Sequence, residues 1–407
     1  MAVAADLITL SEYEWKPVEL VDEDAVFIAK ELSSKLMIMR GVGDDRFWVN
    51  PNQHVGIVAL PSGARLESYP KVPVRNLFYM LAVAIDYPKP FREELAEFER
   101  LEHLLEFVAE FFADLVEDRI RNGLYRAYVE REENLPFVRG RIDLYRDVRQ
   151  NYLLRHRTFC RHAELTWDIP ENQLIRQAAY MLTGWEFRPQ LRTRLSSIDA
   201  TLHEVTPTAY PASVVNRVQY HRLNEDYREV HRLCQLFLEG ASLSEELGTF
   251  GFRTFLLDMN LLFEMFVTRV LEARAPTGGA LQGQVGMHLD YGRRVAIRPD
   301  FLVRAGGRVL AAADCKYKRI LSDEYKNHDI YQVLAYCLAA GTDRGLLIYP
   351  RHIVDIDDRI QVLNTAVEIR RLSVDLGKDW DELELECEAI AQKVFGWTAA
   401  EAGRVAA

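Results

Sequence analysis

At 407 residues, the chain is longer than one ordinary hydrophobic core serves, so two or three domains are expected. Its composition, 49% hydrophobic and 27% charged, is that of a soluble globular protein and excludes a disordered chain or a fibre. With 50 Lys and Arg against 61 Asp and Glu, the net charge of −11 excludes a protein that coats nucleic acid by bulk electrostatics, so any nucleic-acid contact must be local.

The opening MAVAADLITLSEYEW lacks a basic segment followed by an apolar run, and no later stretch approaches the ~20 apolar residues that cross a bilayer. A cytoplasmic protein with no membrane partner is expected. Five scattered cysteines without CxxC spacing support neither a disulfide framework nor a zinc ribbon.

Residues 1–74 read as a small, mostly antiparallel β unit. Its strands are DLITLSEYEW, SKLMIMRG, DRFWVN, and HVGIVAL and RLESYPKV joined by PSGA. Residues 75–245 read as a helical middle region, because apolar residues recur at three- and four-residue steps in NLFYMLAVAIDY and FREELAEFERLEHLLEFVAEFFADLVEDRI. Glu110, Asp114 and Asp118 share one helical row there, read as a solvated face. Asp168, Pro170 and Glu171 form a capping-box pattern before NQLIRQAAYML, with Asp168 as N-cap.

One basic stretch stands out in the middle region. Arg139, Arg141, Arg146, Arg149, Arg155, Arg157 and Arg161 face only Asp143 and Asp147 locally. Two readings stay open: a DNA-contacting patch, or arginines paired with acids elsewhere in an acidic chain.

The Ser- and Gly-rich ASLSEELGTFGF marks a boundary before a C-terminal α/β domain over residues 246–407. Its order is a helix (Phe255 to Arg274), a hairpin, a helix (Asp329 to Ala340), the strand RGLLIYP and an acid-rich closing helix, which predicts a mixed sheet. The fold class expected for the whole chain is therefore multi-domain α+β.

The hairpin carries the chemistry. Ala305-Gly306-Gly307 is a turn signal, so Arg294 to Arg304 should pair with Arg308 to Tyr317, which brings Asp300 opposite the neighbourhood of Ala313 and Asp314. Asp314 and Lys316 are two apart on one strand and leave the same face. Two buried carboxylates side by side disfavour each other's charged form, and a hard cation such as Mg²⁺ removes the conflict while keeping waters for a substrate phosphate. A lysine beside them can orient the attacking water or stabilise developing negative charge, the requirements of phosphodiester hydrolysis. Spacing alone is weak, since Glu14-Trp15-Lys16 matches the same pattern with no second acid arranged upstream as Asp300 is. Glu264 adds a third acid, because it sits in the apolar stripe of Leu257, Leu261, Val267 and Leu271 and needs a partner: Arg269 or Arg298 on one reading, the metal site on the other. Gln332, on the helix after the hairpin, could hold the water or a DNA phosphate, or serve as an ordinary helix residue.

Glu264, Pro299-Asp300, Asp314-Cys315-Lys316 and Gln332, in this order, resemble the PD-(D/E)xK nuclease superfamily. More specifically, VGIVALPSGARLESYPKV, NLFYMLAVA, VRGRIDL, ENQLIRQAAYML, RPDFLV and ADCKYK make the whole chain similar to the McrC family, nuclease subunits of McrBC modification-dependent restriction systems. The resemblance implies a DNA endonuclease that works with a hexameric AAA+ GTPase on double-stranded, modified DNA and stimulates GTP hydrolysis by that partner through its N-terminal region. It implies Mg²⁺, with Mn²⁺ as a substitute, held by Asp300, Asp314 and Glu264, with Lys316 as catalytic lysine and Gln332 in support. GTP would be used by the partner, since the chain has no G-x-x-x-x-G-K-[ST] phosphate loop. A self-dimer through the nuclease domain would supply the second cut. Two competitors remain: a stand-alone PD-(D/E)xK nuclease of another defence or repair system, and a non-catalytic adaptor that activates a GTPase.

Overall fold

The computed structural model describes residues 7–41, 46–85, 101–154, 156–185, 187–241, 255–277, 279–283, 285–318, 327–351 and 354–405. The expected boundary at ASLSEELGTFGF lies outside them. In chain order the first elements are β1 (Leu7–Ser11), β2 (Lys16–Val18), α1 (Asp22–Glu31), β3 (Met37–Arg40), β4 (Phe47–Asn50), β5 (His54–Ala59), β6 (Arg65–Tyr69) and α2 (Val74–Ala84). The middle holds α3 (Glu102–Asn122), β7 (Ala127–Leu135), β8 (Arg141–Ile142), α4 (Leu144–Asn151), β9 (Thr158–Thr166), α5 (Pro170–Thr183), α6 (Pro189–Thr201) and α7 (Arg228–Ala241). The last part runs β10 (Phe255–Asp258), α8 (Met259–Glu272), β11 (Gly279–Gly283), β12 (Met287–His288), β13 (Ala296–Ile297), β14 (Phe301–Ala305), β15 (Arg308–Cys315), α9 (Asn327–Ala340), β16 (Arg344–Pro350), β17 (Asp357–Gln361), β18 (Glu368–Val374) and α10 (Trp380–Val405). No helix of the described residues is long and apolar enough to cross a membrane.

The architecture is mixed α+β with several sheets, and the chain divides into two compact units, Met1–Leu105 with Arg253–Ala407, and Glu106–Phe252. In the first unit the N-terminal and C-terminal segments share one sheet, ordered β1-β6-β5-β10. Residues 255–258, expected in a helix, form its edge strand β10, antiparallel to β5 with Asp258 opposite His54. Gly56 makes this pairing feasible: its φ is +143°, and a Cβ there would lie 2.1 Å from the Phe255 carbonyl oxygen. The expected β unit is antiparallel apart from β1, which runs parallel to β6, and it also contains α1.

The six-stranded sheet of the same unit, ordered β11-β14-β15-β16-β18-β17, is mixed as expected, with β15, β16 and β18 parallel to one another. A parallel step needs a crossover, which α9 supplies between β15 and β16. Its apolar side buries Val333 and Cys337 against Leu302, Ala312, Leu347 and Ile369. Residues 294–297 do not extend the hairpin; Ala296–Ile297 pair instead with Met287–His288 in a separate ladder.

The second unit corrects the expectation of a helical middle region. Between α3 and α5 stands a three-stranded antiparallel sheet, β7-β9-β8. One of its two nine-residue strands, AYVEREENL, holds four consecutive charged residues, Glu130 to Glu133, yet alternates half-buried and exposed positions from Ala127 to Glu132. Asp168 is not the N-cap of α5, a place taken by Ile169. Its carboxylate accepts hydrogen bonds from Thr206 N–H (2.8 Å) and Gln173 Nε2 (2.6 Å) instead. The acidic row on α3 is paired: Glu110 accepts from Arg188, and Asp114 and Glu117 from Arg194.

Candidate active site

Gly306 and Gly307, at φ +55° and +78°, close a two-residue turn that needs positive φ at both positions. The turn alone would set Phe301 opposite Ala312; a β-bulge between Val303 and Arg304 shifts the register by one residue, which places Phe301 opposite Ala313 and Asp300 across from Asp314 at the end of the ladder. Asp300 is fixed there twice: its N–H donates to Ala313 O at 3.1 Å, and its Oδ2 accepts from Cys315 N–H at 2.6 Å. Asp314 is 1% exposed. Lys316, on the same face, places Nζ 2.7 Å from Asp314 Oδ2, while its N–H donates to Ile348 O of β16 at 2.9 Å.

The electrostatics are those of crowded acids. Burial, then Glu264, then Asp314 push the Asp300 carboxyl well above the usual range. Burial likewise raises Asp314, against the pull of Lys316. The Lys316 ammonium is held above its ordinary value because Asp314 and then Asp300 outweigh the opposing effect of burial. Glu264, half-buried on α8, is thus near enough to act on Asp300 through its charge. Asp258 starts that helix by capping it, accepting from Asn260 N–H at 2.8 Å.

Gln332 on α9 donates through Nε2 to the Tyr336 hydroxyl at 2.6 Å, and its Oε1 is buried with no hydrogen-bond partner among the described residues. Asp314 also raises the Tyr336 hydroxyl, to about 12, after burial.

A hard divalent cation suits this donor set, since one or two carboxylates plus waters and substrate phosphate satisfy Mg²⁺. Asp314 Oδ2 meets Lys316 Nζ as an ion pair at 2.7 Å, and a carboxylate has acceptor capacity beyond one such contact to offer a cation. Among the described residues, however, no three His, Cys, Asp or Glu side chains converge as a ready ligand set. The expected trio is therefore a close aspartate pair with Glu264 beside it.

A family model described as McrBC 5-methylcytosine restriction system component matches residues 49–350, which span the β5–β6 hairpin, the middle unit and the aspartate pair. The chain belongs to this McrBC family. A relative from Escherichia coli (strain K12), the type IV methyl-directed restriction enzyme EcoKMcrBC, is 24% identical over 337 residues, covering 76% of this chain and 94% of the relative. Two solved structures from Thermococcus gammatolerans are similar. A half-complex from a tetradecameric assembly of McrB AAA+ hexamers with bound McrC is 18% identical, covers 94% of this chain and 99% of that one, and has a TM-score of 0.48. The McrBC complex is 22% identical, covers 66% and 88%, and has a TM-score of 0.41.

In this McrBC-family chain one acid beside the site was not singled out from sequence. Asp329, in the first turn of α9, is fully buried and accepts from Lys318 Nζ at 2.8 Å and from the Tyr349 hydroxyl at 3.1 Å. It also adds to the field that raises Asp314. The signals were available: Lys318 continues the every-second-residue face of Asp314 and Lys316, and Asp329 precedes Gln332 by one helical turn.

Three of the seven arginines of the stretch, Arg139, Arg146 and Arg161, are paired with acids within the same unit. Arg161 bridges Glu132 and Asp143, at 2.9 Å each, and Arg146 also pairs with Glu132. Arg139 lies 3.6 Å from Glu164, and Arg157 donates to Asn134 O at 2.8 Å. Arg155 lies outside the described residues.

Proposed function

We propose that this chain is the DNA-cleaving subunit of a McrBC-type restriction complex, an endodeoxyribonuclease that hydrolyses phosphodiester bonds of modified double-stranded DNA with Mg²⁺. The observation that carries the proposal is the placement of Asp300 across from Asp314, with Lys316 on the same face and ion-paired to Asp314. Asp300 and Asp314 would hold the metal, with Glu264 nearby. When bound, Mg²⁺ supplies polarisation of the phosphate and a water of lowered pKa. Lys316, kept charged by the two aspartates, stabilises negative charge developing on the phosphate. Gln332 offers Oε1 as an acceptor for a water.

The partner in this proposal is a hexameric AAA+ GTPase of the McrB kind, and GTP belongs to that partner. The convergence of Asp300 and Asp314 counts against a non-catalytic adaptor, for which the two acids need not meet. The test is plasmid cleavage with Mg²⁺, GTP and the co-purified GTPase, comparing wild type with Asp314→Ala and following GTP hydrolysis in the same tubes. Cleavage lost in the variant with GTP turnover preserved supports the proposal. Equal cleavage by both, or stimulated GTP hydrolysis without cleavage by either on modified and unmodified DNA, overturns it. Equally fast cleavage without GTP or partner would instead favour a stand-alone nuclease.

A further inference from the structure

The N-terminal sheet reaches the end of the strand that carries Lys316. Glu12, the residue after β1, is fully buried, and its Oε1 accepts from the Tyr317 hydroxyl at 2.9 Å and from Lys71 N–H at 2.6 Å. The next residue, Tyr13, donates its own hydroxyl to the Tyr317 carbonyl oxygen at 2.6 Å. Two consecutive residues thus hold Tyr317 by its side chain and by its backbone.

The place of this grip is informative. Strand β15 ends at Cys315, and beyond it Lys316 keeps one ladder bond, to Ile348 O, before Lys318 N–H turns back onto Lys316 O at 2.9 Å. The peptide following Lys316 therefore leaves the sheet, and what fixes it is Tyr317. The Tyr317 ring is 1% exposed and packs on Phe263 of α8, ring centroids 5.9 Å apart, next to Glu264. Tyr13 makes its contact from a left-handed backbone conformation, φ 58°, which is uncommon for a bulky residue and costs on the order of 1 kcal/mol. Its N–H donates to Asn52 O at 2.7 Å, and Lys71 Nζ sits over its ring at 5.4 Å, so the surroundings sustain the conformation.

We propose that Glu12 and Tyr13 are positioning residues for the cleavage reaction, setting Lys316 against the aspartate pair by clamping Tyr317. This inference rests on the nuclease reading. The Asp314 contact holds the Lys316 ammonium and the Ile348 bond its N–H, while the Tyr317 clamp fixes the chain on its other side, and displacement by about 1 Å is enough to cost rate by factors of up to ~100.

The test uses the full chain with its GTPase partner and single-turnover cleavage at saturating Mg²⁺ and DNA. Tyr13→Phe and Glu12→Ala should each cleave about 10-fold more slowly, with Mg²⁺ half-saturation and stimulated GTP hydrolysis unchanged; the thermal midpoint of Glu12→Ala falls, because the Tyr317 hydroxyl and Lys71 N–H lose their buried acceptor, so rates are compared at a temperature where every variant is folded. Glu12→Gln, which keeps an acceptor oxygen for Tyr317 and Lys71, should restore the rate. Wild-type rates in Tyr13→Phe and Glu12→Ala overturn the proposal. So does a fall in Mg²⁺ affinity that tracks the rate, or a rate that Glu12→Gln fails to restore while recovering the thermal midpoint, which would make the clamp a support of the fold alone. Asp314→Ala in the same series separates the two readings: if it cleaves like wild type the nuclease assignment fails, and if only it is inactive the positioning role fails by itself.

Discussion

Lys316 Nζ lies 2.7 Å from Asp314 Oδ2, and the lysine is the more exposed partner, at 21% against 1% for the aspartate side chain. The ammonium thus shields a buried carboxylate and is the part of the pair that solvent reaches. Lys316→Ala removes the charge and leaves both aspartates in place. Single-turnover cleavage should fall by about 10²-fold or more, with DNA binding and stimulation of GTP hydrolysis retained. Unchanged cleavage would take Lys316 out of the chemistry.

Asp329 is the acid on which the flank of the site depends. Replacing it with Ala leaves the Lys318 ammonium and the Tyr349 hydroxyl without their acceptor. Hydrogen bonds to a charged group are worth about 1.5–3 kcal/mol, so Asp329→Ala should lose about 2 kcal/mol of unfolding free energy in urea titrations. A variant as stable as wild type would show that the buried charge is offset by its own desolvation.

Local patterns explain which parts of this site were legible in the sequence. Asp300, Asp314 and Lys316 were readable as neighbours because a glycine turn sets their register to within one residue over 17 residues of chain, from Asp300 to Lys316, while the β-bulge at Val303 and Arg304 that brings Asp300 level with Asp314 carried no sequence signal. Glu264 was readable as an acid in an apolar helical stripe. Phe255–Asp258 was read as helix because FLLDMNLLF is apolar throughout, and its strand partner β5 lies some 200 residues upstream. Glu12 showed nothing locally, since its burial comes from Tyr317, 305 residues away. In the middle region β7 was hidden by charge, because the consecutive Glu130, Arg131, Glu132 and Glu133 place charges on both faces and erase the apolar alternation that usually reveals a strand.

Gly56 ties the N-terminal sheet to the helix bearing Glu264, through β10 and the Asp258 cap. A methyl group there would meet the Phe255 carbonyl at 2.1 Å, and the φ of +143° disfavours any side chain. Gly56→Ala should therefore cost about 3 kcal/mol or more, through backbone strain and loss of β5–β10 pairing. Hydrogen exchange should then show faster amide exchange over residues 255–258 than in the six-stranded sheet. A stable variant with protected β10 amides would refute this account of the junction.

Glu12 gives the molecule a defined pH response. Burial is the dominant influence on its carboxyl, outweighing the Lys71 N–H, the Tyr317 hydroxyl and the Lys71 charge, and it raises the pKa from 4.5 to about 7. The folded chain therefore holds a proton that the unfolded chain has released between these two values. Stability contributed by this proton is complete below pH 4.5, declines as pH rises, and is gone above about 7. The full change is about 3 kcal/mol, at 1.36 kcal/mol per unit. Glu12→Gln is neutral at every pH and lacks this titration, so the stability of the variant relative to wild type should increase by about 2–3 kcal/mol from pH 5 to pH 8. Urea unfolding of both proteins at those two pH values measures it. A difference independent of pH would mean that Glu12 ionises inside the fold as readily as in water, which its burial beside Tyr317 argues against.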